Sequence, residues 1–164
     1  MGQLQSQNWL YRKIHEIKHL IFGVHLGSGI RLAIWLGLRL KSNLKKINKD
    51  TLQLNNLIVD ALQDLKAEQI MTLDLRELDD TVSDFYIVCH GNSNTQVSAI
   101  KESIEKEVRE ALGEKAWHVE GTDNAEWILM DYVNVVVHIF QKETREFYNL
   151  EGLWADAIIT NIED

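Results

Sequence analysis

The sequence predicts an α/β fold, a mixed five-stranded sheet with flanking helices, and three stretches carry that prediction. "FYIVCH" (85–90) is continuously apolar, as an inner strand covered on both faces would be. Directly after it, Val97, Ile100, Ile104, Val108 and Leu112 recur at helical spacing. "EWILM" and "VVVHIF" then flank the turn-rich "DYVN", which is the pattern of an antiparallel hairpin.

Taken in order, residues 1–49 stand apart by charge. They hold nine Lys or Arg and a single acid, Glu16, a formal +8. Within them "HLIFGVHLGSGIRLAIWLGLRL" (19–40) is interrupted by His25, Ser28, Arg31, Arg39 and four glycines, so it falls short of the roughly 18 uninterrupted apolar residues a spanning helix needs. Leu32, Trp35, Leu36 and Leu40 with flanking cations suit a helix lying on a membrane surface. The acid-poor, basic composition also resembles an organellar transit peptide, and a leader outside the natural fold is the third reading. The polar stretch "KSNLKKINKD" (41–50) separates this leader, 1–49, from a domain spanning 50–164.

That domain opens with a helix carrying Leu54, Leu57, Ile58, Ala61, Leu62 and Leu65 at three- and four-residue spacing. "MTLDLRE" alternates and reads as a half-buried strand. After "FYIVCH", Gly91 permits a sharp exit, and Ser93 with Gln96 three positions on forms a capping box for the next helix, which Gly113 stops. "AWHVEG" (116–121) is a further strand, so strand, helix and strand predict a right-handed crossover with parallel strands. The hairpin follows, and "ETREFYNLEGLW" places Phe147, Leu150 and Trp154 on one helical face.

A chain of 164 residues, 45 % of them apolar, is one domain in length and buries enough surface to fold without staples. Its single cysteine, Cys89, excludes an intramolecular disulfide, leaves no CxxC pair, and reads as buried strand filler. Residues 50–164 carry eight Lys or Arg against 24 Asp or Glu, a formal −16. Such a surface repels nucleic-acid phosphates and favours a basic protein partner.

Catalytic signals are weak. The "GNS" helix start looks like a phosphate cradle, but nucleotidyl transfer also needs carboxylates converging on metal, and "WILMD" with "VVVHIF" offers Asp131 alone, at the turn. Asp79, Asp80, Asp84 and Asp123 lie in turn-forming loops. His90, His118 and His138 sit on three different strands without local ligand spacing and read as structural, hydrogen-bonded histidines. No framed nucleophile, P-loop or dinucleotide fingerprint is present.

Three blocks, "DFYIVCHGNSNTQVSAI", "WHVEGTDNAEWILMDYVNVVVHIF" and "REFYNLEGLWADA", in this order and spacing, resemble the ribosomal silencing factors, also called the Iojap family. The resemblance spans about Leu54 to Ala157. The family pattern often has glycine where Val133 stands, so the hairpin turn is expected to differ in shape. The resemblance implies a nucleotidyltransferase-like fold without the catalytic carboxylates and a non-enzymatic role, with no cofactor and no metal. It implies binding to ribosomal protein L-fourteen on the large ribosomal subunit, which bars the small subunit and represses translation under nutrient limitation. By resemblance the contact surface is assigned to Trp127, Leu129, Asp131, Tyr132, His138, Phe147, Tyr148, Glu151 and Trp154. On that reading Trp127→Ala weakens docking while the domain stays folded. The protein is expected in a bacterial cytoplasm, or in mitochondria or chloroplasts if the leader is a transit peptide, as a monomer on the ribosome and a homodimer when free. The rival function is a nucleotide-binding or nucleotidyl-transferring enzyme that uses the "GNS" helix start.

Overall fold

Residues 49–78 and 83–163 are described by the computed structural model. The leader expected at 1–49, Lys49 aside, lies outside the described residues, as do Asp79 and Asp80. In chain order the elements are helix α1 (49–64), strands β1 (Glu68–Asp74) and β2 (Phe85–Gly91), helix α2 (Asn94–Leu112), strands β3 (His118–Glu120), β4 (Trp127–Asp131) and β5 (Val135–Gln141), helix α3 (Lys142–Tyr148), a 3-10 helix (Leu150–Trp154) and strand β6 (Ile158–Asn161).

The strands form one mixed sheet in the order β3-β4-β5-β2-β1-β6. Only the central pair, β2 with β5, is parallel. Both strands of that pair are apolar along nearly their whole length and buried, as parallel strands covered on two faces must be. Helix α2 follows the expected script. Ser93 is its N-cap, with Oγ accepting from the Gln96 N–H at 3.2 Å, while Gln96 Oε1 accepts from the Asn92 N–H at 2.9 Å. Gly113 ends it in the left-handed region at φ 69°.

Two expectations are corrected, the strand count and the last helix. The sheet has six strands, because the short, exposed β6 adds antiparallel to β1. Strand β3 runs parallel to β2, as expected of the crossover, with β4 and β5 between them. Its three half-buried residues suit an edge, and the far more apolar β4-β5 hairpin takes the central place. The last helix is also broken: Asn149 adopts φ 44° and its N–H closes α3 on the Arg145 carbonyl at 2.8 Å, after which the chain resumes as the tighter 3-10 helix.

Alternation along the strands divides the interior into two layers. On one sheet face Ile87, Cys89, Ile128, Met130, Val137 and Ile139 pack against Ile58 and Leu62 of α1 and Ile100, Ile104 and Val108 of α2. Cys89 is fully buried there, and burial pushes its thiol up to about 12. On the other face Leu73, Tyr86, Val88, Trp127, Val136 and Phe140 are buried as well, under α3 and the 3-10 helix. Gly121, at φ 80°, lets the β3-β4 connection cross the start of β4, where a Cβ would stand 1.9 Å from the Trp127 carbonyl oxygen.

Candidate functional site

The second sheet face gathers most of the aromatic side chains among the described residues into one chain of contacts. Strand spacing puts Trp127 and Leu129 of β4, His138 and Phe140 of β5, and Tyr86 of β2 on this face. Trp127 stacks on Phe140 with centroids 4.8 Å apart and meets Tyr148 of α3 at 5.3 Å. Tyr86 stands edge-on to His138 and to Trp154, each at 5.3 Å. Phe147 meets Tyr148 at 5.0 Å, edge to face. Such geometries add to plain burial.

Polar atoms inside this layer are specifically arranged. The Trp127 indole N–H donates to His138 Nδ1 at 3.2 Å, so the imidazole is neutral and carries its proton on Nε2. Burial alone depresses the His138 pKa, to about 3. Nearer β1, Arg145 of α3 is 4 % exposed. Its Nε donates to Glu151 Oε1 at 2.9 Å, and its Nη1 to the Gln69 carbonyl at 2.8 Å. His90 Nδ1 lies 3.1 Å from the same Nη1 and Met71 Sδ lies 3.1 Å from Nη2. Facing a guanidinium, His90 must accept and so is neutral. Its pKa is lowered first by burial and then by Arg145, with Glu68 opposing.

The nine residues expected at a contact surface fall into separate groups. Trp127, Leu129 and His138 are buried in the second layer. Tyr148, Glu151 and Trp154 are half-buried above them, and Phe147 projects with 55 % of its surface exposed. Asp131 is half-buried at the end of β4, where Oδ1 accepts from the Val133 N–H at 2.6 Å. Tyr132 is not part of this group. It packs in the opposite layer with α1 and α2, and burial pushes its phenol up to about 12. With Trp127 only 7 % exposed, the expectation that Trp127→Ala leaves the domain folded is revised: truncation there opens the interior.

Sequence reading missed Leu153, which is 57 % exposed next to Trp154, and Arg145, which is 4 % exposed. Leu153 follows "LEG" and carried no periodic signal. Arg145 meets its sheet partners 55 to 76 positions away, so no local pattern announces it. His90 and His138 are hydrogen-bonded within the fold, in line with the reading of structural histidines.

The "GNS" junction borders a cavity of about 400 Å³ lined by Asn94, Ser98, Glu102, Thr122, Asp123 and Asn124 among others. The described lining carries two acids and no Lys or Arg, so its charge opposes a polyphosphate. Among the described residues no group of three or more His, Cys, Asp or Glu is arranged to hold a metal ion, and no helix is long and apolar enough to cross a membrane.

Comparison with known proteins gives a consistent result. Residues 48–164 match the family described as "Ribosomal silencing factor during starvation". A ribosomal silencing factor RsfS of Halalkalibacterium halodurans is 41 % identical over 116 residues, covering 71 % of this chain and 95 % of the relative. The RsfS of Bacillus subtilis is 42 % identical over 103 residues, covering 63 % and 86 %. A crystal structure of a Bacillus halodurans protein superposes with a TM-score of 0.57 at 39 % identity, covering 68 % of this chain and 98 % of that one.

Proposed function

The chain belongs to the ribosomal silencing factor family, and from that premise we propose that it represses translation by binding the large ribosomal subunit through ribosomal protein L-fourteen and sterically barring the small subunit. The observation that carries this reading is the aromatic roof on the sheet: Phe147 and Leu153 exposed, Tyr148 and Trp154 half-buried beside them. An exposed apolar cluster with polar surroundings is the usual mark of a protein contact. Here the surroundings are acidic, with Glu143, Glu146 and Asp156 exposed and Glu151 half-buried. A domain with a formal charge of −16 over residues 50–164 is steered toward a basic ribosomal protein, and the aromatic anchors hold it after encounter.

On this reading Phe147, Tyr148, Glu151, Trp154 and Asp131 meet the partner, while Trp127, Leu129 and His138 stiffen the surface from beneath. Tyr132 then serves the opposite layer. Occlusion needs no catalysis, cofactor or metal, only a bound body in the path of the joining subunit. The family description, which names starvation, and the bacterial relatives support repression in the cytoplasm when nutrients run short.

Sedimentation of the full chain with isolated large subunits, followed by addition of small subunits, tests the proposal. Co-migration with large subunits, a fall in joined particles and a chemical cross-link to L-fourteen are expected. Protein left at the top of the gradient while joining proceeds would sink it.

A further inference from the structure

Arg145 occupies an unusual position for a charged side chain: it is 4 % exposed, on a helix of seven residues whose N-cap, Gln141, makes no side-chain capping bond. Neither that helix nor the five-residue 3-10 helix after it is long enough to hold its shape unaided. Beside the ring contacts of Tyr148 with Trp127 and of Trp154 with Tyr86, one polar side chain ties both pieces to the sheet. The guanidinium reaches Glu151 in the 3-10 helix, the Gln69 carbonyl in β1 and His90 at the end of β2, with Met71 Sδ against Nη2.

The β1 contact is built for this purpose. The register of β1 against β2 shifts between Glu68 and Met71, and Gln69 sits at φ 48°, the mark of a bulge, which takes backbone groups out of the ladder. Arg145 supplies the donor for the Gln69 carbonyl. His90 is held neutral as an acceptor, with Nε2 3.5 Å from Glu68 Oε2, so Arg145 directly faces one carboxylate, Glu151, and an uncharged imidazole. Backbone geometry reinforces the tie, since the Asn149 N–H closes on the Arg145 carbonyl at the turn between the two helical pieces.

We infer that Arg145 is the positioning residue of the docking face: without touching the partner, it fixes α3 and the 3-10 helix in the pose that presents Phe147 and Leu153. This rests on the proposed docking reading. A lysine cannot substitute, because a point ammonium cannot reach four acceptors laid out around a planar fork.

The test compares the full chain with Arg145→Lys by two readouts, amide hydrogen exchange and affinity for isolated large subunits. The expected result is exchange about tenfold faster across residues 142–154, with β2 and β5 still protected, and binding weaker by about tenfold or more. Unchanged exchange in 142–154 overturns the inference whatever the ribosome does. Faster exchange with unchanged affinity overturns the link to docking. If the unmodified chain itself fails to bind large subunits, the functional reading falls, and the exchange result still decides whether Arg145 sets the pose.

Should Arg145→Lys lack a cooperative melt, the same readouts on His90→Asn and His90→Leu decide. Asparagine keeps an acceptor near the Nδ1 position and should resemble the unmodified chain. Leucine removes it and should reproduce the loosened segment and the weakened binding. Two variants that both match the unmodified chain would refute the inference.

Discussion

Trp127 and His138 are joined diagonally across β4 and β5 by an indole N–H that donates to the imidazole Nδ1 at 3.2 Å. The bond lies inside the second layer, with Trp127 stacked on Phe140 and overlain by Tyr148. Trp127→Ala therefore removes a buried ring and leaves a buried acceptor unpaired, at an expected loss of about 3–5 kcal/mol. Urea unfolding would show it as a large drop in midpoint. Trp127→Phe, which keeps much of the ring volume, should lose distinctly less. A loss under about 1 kcal/mol for the alanine variant would show that the indole does not act as core.

Acid should weaken the fold through the same histidine. In the unfolded chain His138 titrates near 6.5, whereas burial lowers it to about 3 in the fold. Between those values the unfolded state takes up a proton that the native state refuses, so stability present above about 6.5 is lost as pH falls toward 3. The slope is at most about 1.4 kcal/mol per pH unit. His90, also lowered, adds in the same direction. Urea midpoints measured at pH 7, 6, 5 and 4 should fall more gently in His138→Gln, which cannot titrate. Parallel lines for the two proteins would assign the acid sensitivity elsewhere.

Val133 is a strained residue at the tip of the hairpin. Its φ is 73°, and the Asn134 N–H donates to the Tyr132 carbonyl at 2.9 Å across it, the form of the rare γ-turn with a positive central φ. A β-branched residue is poorly suited to that region. Asp131 Oδ1 on the Val133 N–H and Ser83 Oγ on its carbonyl hold it in place. Val133→Gly relieves strain worth about 1–3 kcal/mol and gives back part of it in unfolded-chain entropy. The expected net is a gain of about 1 kcal/mol, seen as a higher melting temperature. Since Val133 is 55 % exposed, little packing is lost, and a lower melting temperature would refute the strain argument.

What was legible in the sequence was what neighbours in the chain decide. The Ser93–Gln96 capping box, the Gly113 stop and the hairpin around "DYVN" depend on residues a few positions apart, and each formed as read. Pairing between distant segments was not legible. The exposed β6 gains its place by joining β1 some 85 positions earlier, and β3 yields the centre to a hairpin that had not yet appeared in the chain. At the site, two-residue alternation along "WILMDY" is enough to set Trp127 and Leu129 on the face opposite Tyr132. It could not say that α3 would roof over the first pair, because that roof is fixed by Arg145 reaching His90 and Gln69.

Phe147 offers the cleanest separation of docking from folding. It is 55 % exposed and its ring leans edge-on against Tyr148 at 5.0 Å, so it contributes little to the interior while standing at the centre of the proposed contact. Truncating an aromatic anchor in an interface removes about 1.4 kcal/mol or more, a tenfold change in affinity. Phe147→Ala should then bind isolated large subunits at least about tenfold more weakly, with a melting temperature within a degree or two of the unmodified chain. Added salt sharpens the comparison: steering by the acidic domain fades as ionic strength rises, whereas the loss from the missing ring persists. Unaltered binding at both low and high salt would remove Phe147 from the contact surface and shift the anchor to Leu153 and Trp154.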